Sequence, residues 1–370
     1  MTGLDLAHEA VKRKLAEAED AVKLCARGKG FYASSLNYAY QYWLRDVVFS
    51  LPALMSLGYQ ERLRNHLTIF LEAYRRKGRV PALVNRLGGL IYLVNFARML
   101  RKPSLSTSYP LKFMLPNLFR FGLQLWTGDS QPLLLIGLHQ YTRLTSDVGL
   151  MEDYGEEAGR LAEDLALKVE VEDLIQGSGW MDAMANYMEK PTLVCQLLAC
   201  RALELSGRLR QASKLKTLIR KAYWSPEKGC YTDLPEPEGR IDGLGNSLAI
   251  LYDLASAKEA SLIAEALKKA STPYGILNIH PPYPKHVCSQ RPHTYQNSVI
   301  WPMVQGHVVA ALAKMGLKEE AKKEFMKMVS LPELNEWYTP EGKPKGSPNQ
   351  LWTAAMLVSA WNAIAGTTLF

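Results

Sequence analysis

Three times along this chain a run of helical pattern stops on a glycine and another begins at once: Leu57-Gly58-Tyr59, Ser206-Gly207-Arg208 and Met315-Gly316-Leu317. A glycine just past a helix C-terminus accepts the left-handed conformation that closes the helix. An immediate restart then folds the next helix back along the first. The repeating unit is a long loop, a helix, a tight glycine turn and a second helix. Apolar residues at helical spacing carry this through nearly the whole sequence. They predict helices over about 4–27, 43–57, 59–77, 130–145, 152–169, 190–206, 208–223, 245–255, 257–270, 298–315, 317–329 and 350–364. Strand-like alternation is confined to short pieces such as Cys230 to Thr232. Helices in six antiparallel pairs, closed in a circle, give an all-α fold, an (α/α)6 toroid or six-hairpin barrel. Nothing divides the composition into halves, so one domain over residues 1–370 is expected.

The polar and aromatic residues that stand out fall just before, or in the first turn of, every second helix. They are Trp43-Leu44-Arg45-Asp46, Asp129, Trp180-Met181-Asp182, Asn246, Asn297 with Trp301, and Gln350 with Trp352. If helices alternate between an outer and an inner ring, the inner ones all run the same way and their N-termini meet at one mouth. Tight turns then occupy one face and long loops the other, where function is expected. Helix N-termini add free N–H groups and partial positive charge to that face. A ring rich in tryptophan and carboxylates is what holding a sugar requires.

At 370 residues and 48% hydrophobic, the chain can bury a large core. No run of apolar residues is long enough for a transmembrane helix. Leu4 to Arg27 reads as an amphipathic charged helix without the apolar core and cleavage site of a signal peptide. Cys25, Cys195, Cys200, Cys230 and Cys288 follow no metal-ligand or disulfide pattern, which points to reduced thiols and a cytoplasmic location. His280, His286 and His293 surround Cys288 at irregular spacing, so neither a metal nor any other cofactor is expected. The net charge of +8 belongs to one segment. Between Glu72 and Asp129 there is no acidic residue and there are ten basic ones, which leaves −2 for the remainder. A nucleic-acid partner is not expected from such a distribution. Residues 86–126 are apolar and basic together, including Leu90-Ile91-Tyr92-Leu93-Val94 and Phe113-Met114-Leu115. This composition suits a lid, a subunit contact or a membrane-surface segment.

Five stretches in order resemble a known group. Tyr42-Trp43-Leu44-Arg45-Asp46, followed by Gly58-Tyr59, is similar to the W-x-R-D segment of six-hairpin glycosidases. Gly179-Trp180-Met181-Asp182-Ala183, with Lys190-Pro191, resembles the W-M-D-A motif of the amylo-α-1,6-glucosidase domain of glycogen-debranching enzymes. Tyr223-Trp224 with Gly229-Cys230-Tyr231-Thr232-Asp233 resembles their F-W…G-Y-L-x-D stretch, and Tyr295-Gln296-Asn297-Ser298-Val299-Ile300-Trp301-Pro302 their Y-H-N-G-x-V-W-P. Glu336-Trp337-Tyr338…Gly342…Gln350-Leu351-Trp352-Thr353-Ala354-Ala355 resembles the closing E-x-[FY]-x-G…Q-x-W-[ST]-x-A block. The order and spacing agree from about residue 37 to 364. Gln296 stands where the motif has His and Ser298 where it has Gly. The additional β-rich domain of glucoamylases and debranching enzymes is not expected within these 370 residues.

Glycoside cleavage needs one carboxylic acid to protonate the leaving oxygen and one carboxylate acting from the opposite side. The resemblance implies Asp182 as the acid and Glu336 as the base that activates water, with inversion at the anomeric carbon. A carboxyl beside an aromatic wall such as Trp180 has its pKa raised, which suits an acid. Glu333 and Glu341 compete with Glu336 for the second role, and either carboxylate alone also reads as a cap or a solvated loop acid. The resemblance further implies that Arg45 and Asp46 hold a terminal sugar, hence a blind pocket and exo-action. An internal ion pair is the alternative for them. Asp129 reads as substrate-facing or as an N-cap. Trp43, Trp180, Trp301 and Trp352 read as sugar platforms or as core. Gln296, Asn297 and Gln350 are candidates for binding hydroxyls or a water. The function implied is an inverting exo-acting hydrolase removing a terminal α-linked sugar, glucose foremost, from a short carbohydrate. A catalytically inactive sugar- or glycolipid-binding toroid and an (α/α)6 isomerase or epimerase are the alternatives. An isomerase would call for paired histidines, which do not open the inner helices.

Overall fold

The computed structural model describes residues 3–86 and 127–367. The apolar basic stretch, apart from Arg86, lies outside the described residues. Thirteen α-helices are described: α1 (Gly3–Cys25), α2 (Leu44–Ser56), α3 (Gln60–Lys77), α4 (Ser130–Thr145), α5 (Gly149–Glu172), α6 (Leu193–Leu205), α7 (Leu209–Tyr223), α8 (Gly243–Leu251), α9 (Ala257–Lys269), the short α10 (Lys285–Cys288), α11 (Pro302–Lys314), α12 (Lys318–Ser330) and α13 (Leu351–Ile364). Twelve correspond to the helices expected from periodicity. The thirteenth, α10, is a single turn inside the Pro-rich loop, too short to leave a periodic trace.

Helices α2, α4, α6, α8, α11 and α13 each pack on the next, and α13 returns to α2, which closes an inner ring. Helices α3, α5, α7, α9 and α12 lie outside their partners, and α1 packs on α13, so the first helix completes the sixth hairpin. Burial follows this division. Every residue of α2 from Leu44 to Leu54, of α11 from Pro302 to Leu312 and of α13 from Leu351 to Ala360 is buried, whereas α3, α7 and α9 bury one stripe. A helix apolar all round belongs inside other helices, and an amphipathic one outside them.

Each inner helix ends on a left-handed residue. After α2, Gly58 has φ +82° and Tyr59 N–H donates to Leu54 O (3.0 Å). The same six-to-one bond runs from Arg208 to Leu203 (2.8 Å), from Leu317 to Leu312 (3.0 Å) and from Thr367 to Asn362 (2.8 Å), past Gly207, Gly316 and Gly366. These are Schellman closures. The sequence announces the interior turns only where glycine occupies them. After α8 the left-handed residue is Asp253 (φ 57°), with Leu254 N–H on Ala249 O, and after α4 it is Ser146 (φ 57°). These small polar residues tolerate the conformation well enough to replace glycine.

The opposite face carries the long loops. Two-residue and three-residue strands pair there: β1 (Gln41–Trp43) with β2 (Leu83–Asn85), β3 (Trp224–Ser225) with β4 (Cys230–Tyr231), β5 (Ile241–Asp242) with β8 (Ile279–His280), β6 (Ser271–Thr272) with β7 (Gly275–Ile276), and β9 (Trp337–Tyr338) with β10 (Pro344–Lys345). All are antiparallel. Side chains tie the loops together. Asn278 donates to Gln296 O (2.7 Å) and accepts from Val299 N–H (2.9 Å). Buried His66 accepts from Phe31 N–H (3.2 Å) and lies 3.3 Å from Trp43 O. Burial pushes its pKa down to about 3, so it stays neutral and donates to Trp43 O. The five cysteines are all buried and unpaired.

Candidate active site

A cavity opens on the loop face over the inner-helix N-termini. It occupies ≈ 340 Å³, an upper bound that counts its open mouth. Its lining is Ala33, Tyr38, Trp43, Arg45, Asp46, Trp180, Asp182, Tyr295, Gln296, Trp301, Glu336, Gln350 and Trp352. Ten of the residues singled out from sequence thus surround one space. Asp129 and Asn297 do not.

One wall is built on α2 and the loop before α6. Arg45, in the first turn of α2, is buried; its Nη2 donates to Asp182 Oδ2 (3.0 Å) and its Nη1 to Gly179 O (3.1 Å). Arg45 thus makes an internal ion pair, the alternative reading of this residue, while it also lines the cavity. Gln296 is also largely used within the protein. Its Oε1 accepts Ala183 N–H (2.9 Å), and its Nε2 donates to Trp180 O (2.9 Å) and weakly to Asp182 Oδ1 (3.4 Å). Arg45 and Gln296 thereby hold the Trp180–Ala183 loop so that Asp182 faces the cavity, its side chain 17% exposed. Burial raises the pKa of Asp182, opposed by Arg45 and aided by the charge of Asp129.

The other wall carries Glu336, which directly precedes β9 and is 3% exposed. Its backbone N–H donates to Ser347 O (2.9 Å), and Ser347 N–H returns a bond to Oε2 (3.0 Å). Tyr38 Oη donates to Oε1 (2.8 Å), and Tyr295 adds a further side-chain bond. Burial pushes Glu336 up to about 7 against these bonds, with the charge of Asp182 adding to the rise. Glu333 and Glu341 are exposed and do not line the cavity, so only Glu336 of the three faces it. Asp46 lies between the walls and accepts from Gln350 Nε2 (3.1 Å). Burial raises it to about 8, Arg45 opposing and Glu336 adding.

The aromatic residues form an edge-to-face cluster. Trp301 meets Trp180 at 5.4 Å and 79° and Trp352 at 5.6 Å and 86°, and Tyr295 packs beside it. Trp301 Nε1 donates to Tyr295 O (2.9 Å). Trp180 and Trp352 have buried indole N–H groups with no protein partner, as does Gln350 for its Oε1. All three groups belong to lining residues. Trp43 is the half-exposed member and stands under the Arg45 guanidinium at 5.5 Å.

The two outliers have other partners. Asn297 spends its amide on Tyr283, accepting N–H (2.9 Å) and donating to O (2.8 Å), and on Gln290 O (3.2 Å). It stitches the Pro-rich loop and makes no approach to the cavity. Asp129 is 1% exposed, behind Arg45, whose Nε lies 3.8 Å from its Oδ2. Asn246 likewise serves the backbone, of Tyr231 and Asp242. Tyr295 lines the cavity too but stood out in sequence only inside a motif, and Tyr38 and Ala33 were missed from sequence altogether. The latter two lie on the long loop between α1 and α2, and the only available signal was that this loop also precedes an inner helix. No cluster of metal-ligating side chains occurs among the described residues, and no described histidine lines the cavity. No described helix is long and apolar enough to cross a membrane.

The sequence matches no protein-family model, and a search of curated proteins finds no match. Solved structures do match. A wild-type glycosidase superposes with a TM-score of 0.63 at 13% identity over 100% of both chains. A GH63 mannosylglycerate hydrolase from Thermus thermophilus, in complex with glucose, gives 0.62 at 15% identity over 94% of this chain and 99% of that one. A rhamnosidase from Klebsiella oxytoca with rhamnose bound gives 0.60 at 15% identity, over 95% of this chain and 63% of that one. At these identities the likeness is one of fold. The chain shares the (α/α)6 fold of these solved structures, which are themselves glycoside hydrolases.

Proposed function

We propose that the protein is a cytoplasmic, inverting, exo-acting glycoside hydrolase that removes a terminal α-linked sugar, glucose foremost, from a short oligosaccharide or glycoside. One observation carries the reading: Asp182 and Glu336, both with raised pKa, stand on separate walls of one small aromatic cavity. Asp182 gives its proton to the glycosidic oxygen as the bond from that oxygen to the anomeric carbon breaks. Glu336 takes a proton from a water that attacks the anomeric carbon from the other face, and the released sugar has inverted configuration. In the working state Asp182 carries its proton and Glu336 is ionised. Trp180, Trp352 and Gln350 have the free N–H and C=O groups to meet sugar hydroxyls, and Trp43 the exposed face. The small cavity supports the removal of one terminal unit. The glucose and rhamnose in the neighbours, and the mannosylglycerate that one of them hydrolyses, make gluco-oligosaccharides and glycosylglycerate-type solutes the first substrates to try.

The test is proton NMR of an α-glycoside panel with wild type, Asp182→Asn and Glu336→Gln. Wild type is expected to release the β-anomer first, and each variant to lose about 10²–10⁴-fold. An α-glucosyl fluoride, whose leaving group needs no proton, should restore turnover to Asp182→Asn and not to Glu336→Gln. Retention of configuration would overturn the two roles. Sugar binding without turnover would instead favour a binding toroid, for which the Arg45–Asp182 ion pair is the supporting feature.

A further inference from the structure

The carboxylate of Asp129 is an anomaly in this site. Both its oxygens are buried without a hydrogen-bond partner, and among the described residues its one charged contact is the Nε edge of Arg45 at 3.8 Å. It sits at the N-cap position of α4 without capping it. A Cβ on Gly179 would stand 3.4 Å from its Oδ2, so the Trp180 loop closes over it. Arg45 in turn reaches forward to Asp182 at 3.0 Å. A single guanidinium therefore lies between two carboxylates, one in the cavity wall and one sealed behind it.

We propose that Asp129 is a positioning residue that divides the charge of Arg45 with Asp182, and so lets Asp182 keep the proton it donates. The inference rests on the role of Asp182 proposed above. An arginine beside a carboxylate ordinarily strips its proton by favouring the ionised form. Arg45 is needed to aim Asp182, so its charge must be offset from elsewhere. Asp129 does this at a position no substrate reaches, and it also repels the ionised form of Asp182 directly. The remaining charged and titratable groups around the relay are Asp46, next to Arg45 on α2; Glu336, across the cavity; and the Cys195 thiol of α6, beside Asp129. Burial and Asp129 both push that thiol up, so it stays neutral and supplies no compensating charge. The amide of Gln296 completes the set facing Asp182.

The experiment is carboxyl ¹³C NMR of protein labelled in aspartate, with the Asp182 resonance assigned by its loss in Asp182→Asn. Removing the rear charge with Asp129→Asn is expected to lower the midpoint of Asp182 by about one pH unit. Adding Arg45→Gln to that variant removes the uncompensated cation and is expected to bring the midpoint back up. The alkaline limb of activity should follow the same two movements. An unchanged midpoint in folded Asp129→Asn, or no recovery in the double variant, overturns the proposal. If Asp129→Asn does not fold, the smaller Asp129→Ser carries the same comparison. The NMR readout needs no turnover, which keeps the two ideas separable. Movement of the midpoint without hydrolysis of any glycoside leaves the charge sharing standing and removes the reaction. Hydrolysis with a fixed midpoint does the reverse.

Discussion

The two walls of the cavity hold their carboxyls by different physics. Asp182 is gripped by a cation, and that cation is counterbalanced from behind by Asp129. Among the described residues no cation contacts Glu336; a phenol, a backbone N–H and a second tyrosine hold it. Both stand above the usual carboxylate range because burial outweighs whatever favours the charge. The comparison teaches that burial can raise a carboxyl's pKa even against a salt bridge when a second carboxylate stands behind the cation. The neutral wall needs no such device. Two carboxyls in one space acquire different proton chemistry from their surroundings alone.

The neutral wall is open to a direct steric attack on its carboxylate. Gly346 has φ +72°, and a Cβ there would lie 2.5 Å from Glu336 Oε2. Gly346→Ala should displace the carboxylate and cut kcat by about 10²-fold, the scale of an ångström misplacement. Gly58→Ala, at φ +82° with nothing within 4 Å, is the control. It should cost about 1 kcal/mol in denaturant melts and leave kcat alone. Equal losses of kcat in both would show that Glu336 is not held by that fit.

A smaller effect follows from the phenol. The Tyr38 bond favours ionised Glu336, so Tyr38→Phe should raise the pKa of Glu336 above about 7. A base must be deprotonated to act, so activity is lost as pH falls through that value. The acid limb of kcat/KM should therefore move to higher pH in the variant, with about a tenfold loss below the limb. A fixed limb would assign it to another group.

The smallest effect concerns Asp46, between the walls. Its folded pKa, about 8, lies above the unfolded value of roughly 4. The folded state thus binds the proton more tightly. The stabilisation is full below pH 4 and is lost as pH rises through about 8. Asp46→Asn should raise Tm at pH 9 by about 2 °C relative to wild type and change it little at pH 4. A larger gain at pH 4 than at pH 9 would contradict the raised pKa.

The fold was largely legible because its signals are local. Helical periodicity, and glycine at Gly58, Gly207 and Gly316, concern residues within one or two turns of each other. Ser146 and Asp253, which turn the chain in the same way, escaped because neither demands the left-handed state as glycine does. The site was legible as an arrangement and less so as chemistry. Inner-helix N-termini had to meet if the ring closed, which brought Trp43, Arg45, Asp182, Gln296, Glu336 and Gln350 to one cavity. That Arg45 and Gln296 are turned toward protein, that Asn297 stitches a loop, and that Tyr38 reaches Glu336 had no local signature.

The sequence by itself determined the alternation of helices, the way each pair turns, and which stretches could reach the common mouth. These are settled between neighbours along the chain, by backbone hydrogen bonds and apolar spacing. Only the tertiary structure decided which donors have protein partners and which carboxyls have raised pKa values. Arg45 meets Asp182 across 137 positions and Tyr38 meets Glu336 across 298. Proton affinity in such a site depends on burial and on charges a few ångströms away, and neither distance exists until the ring is closed.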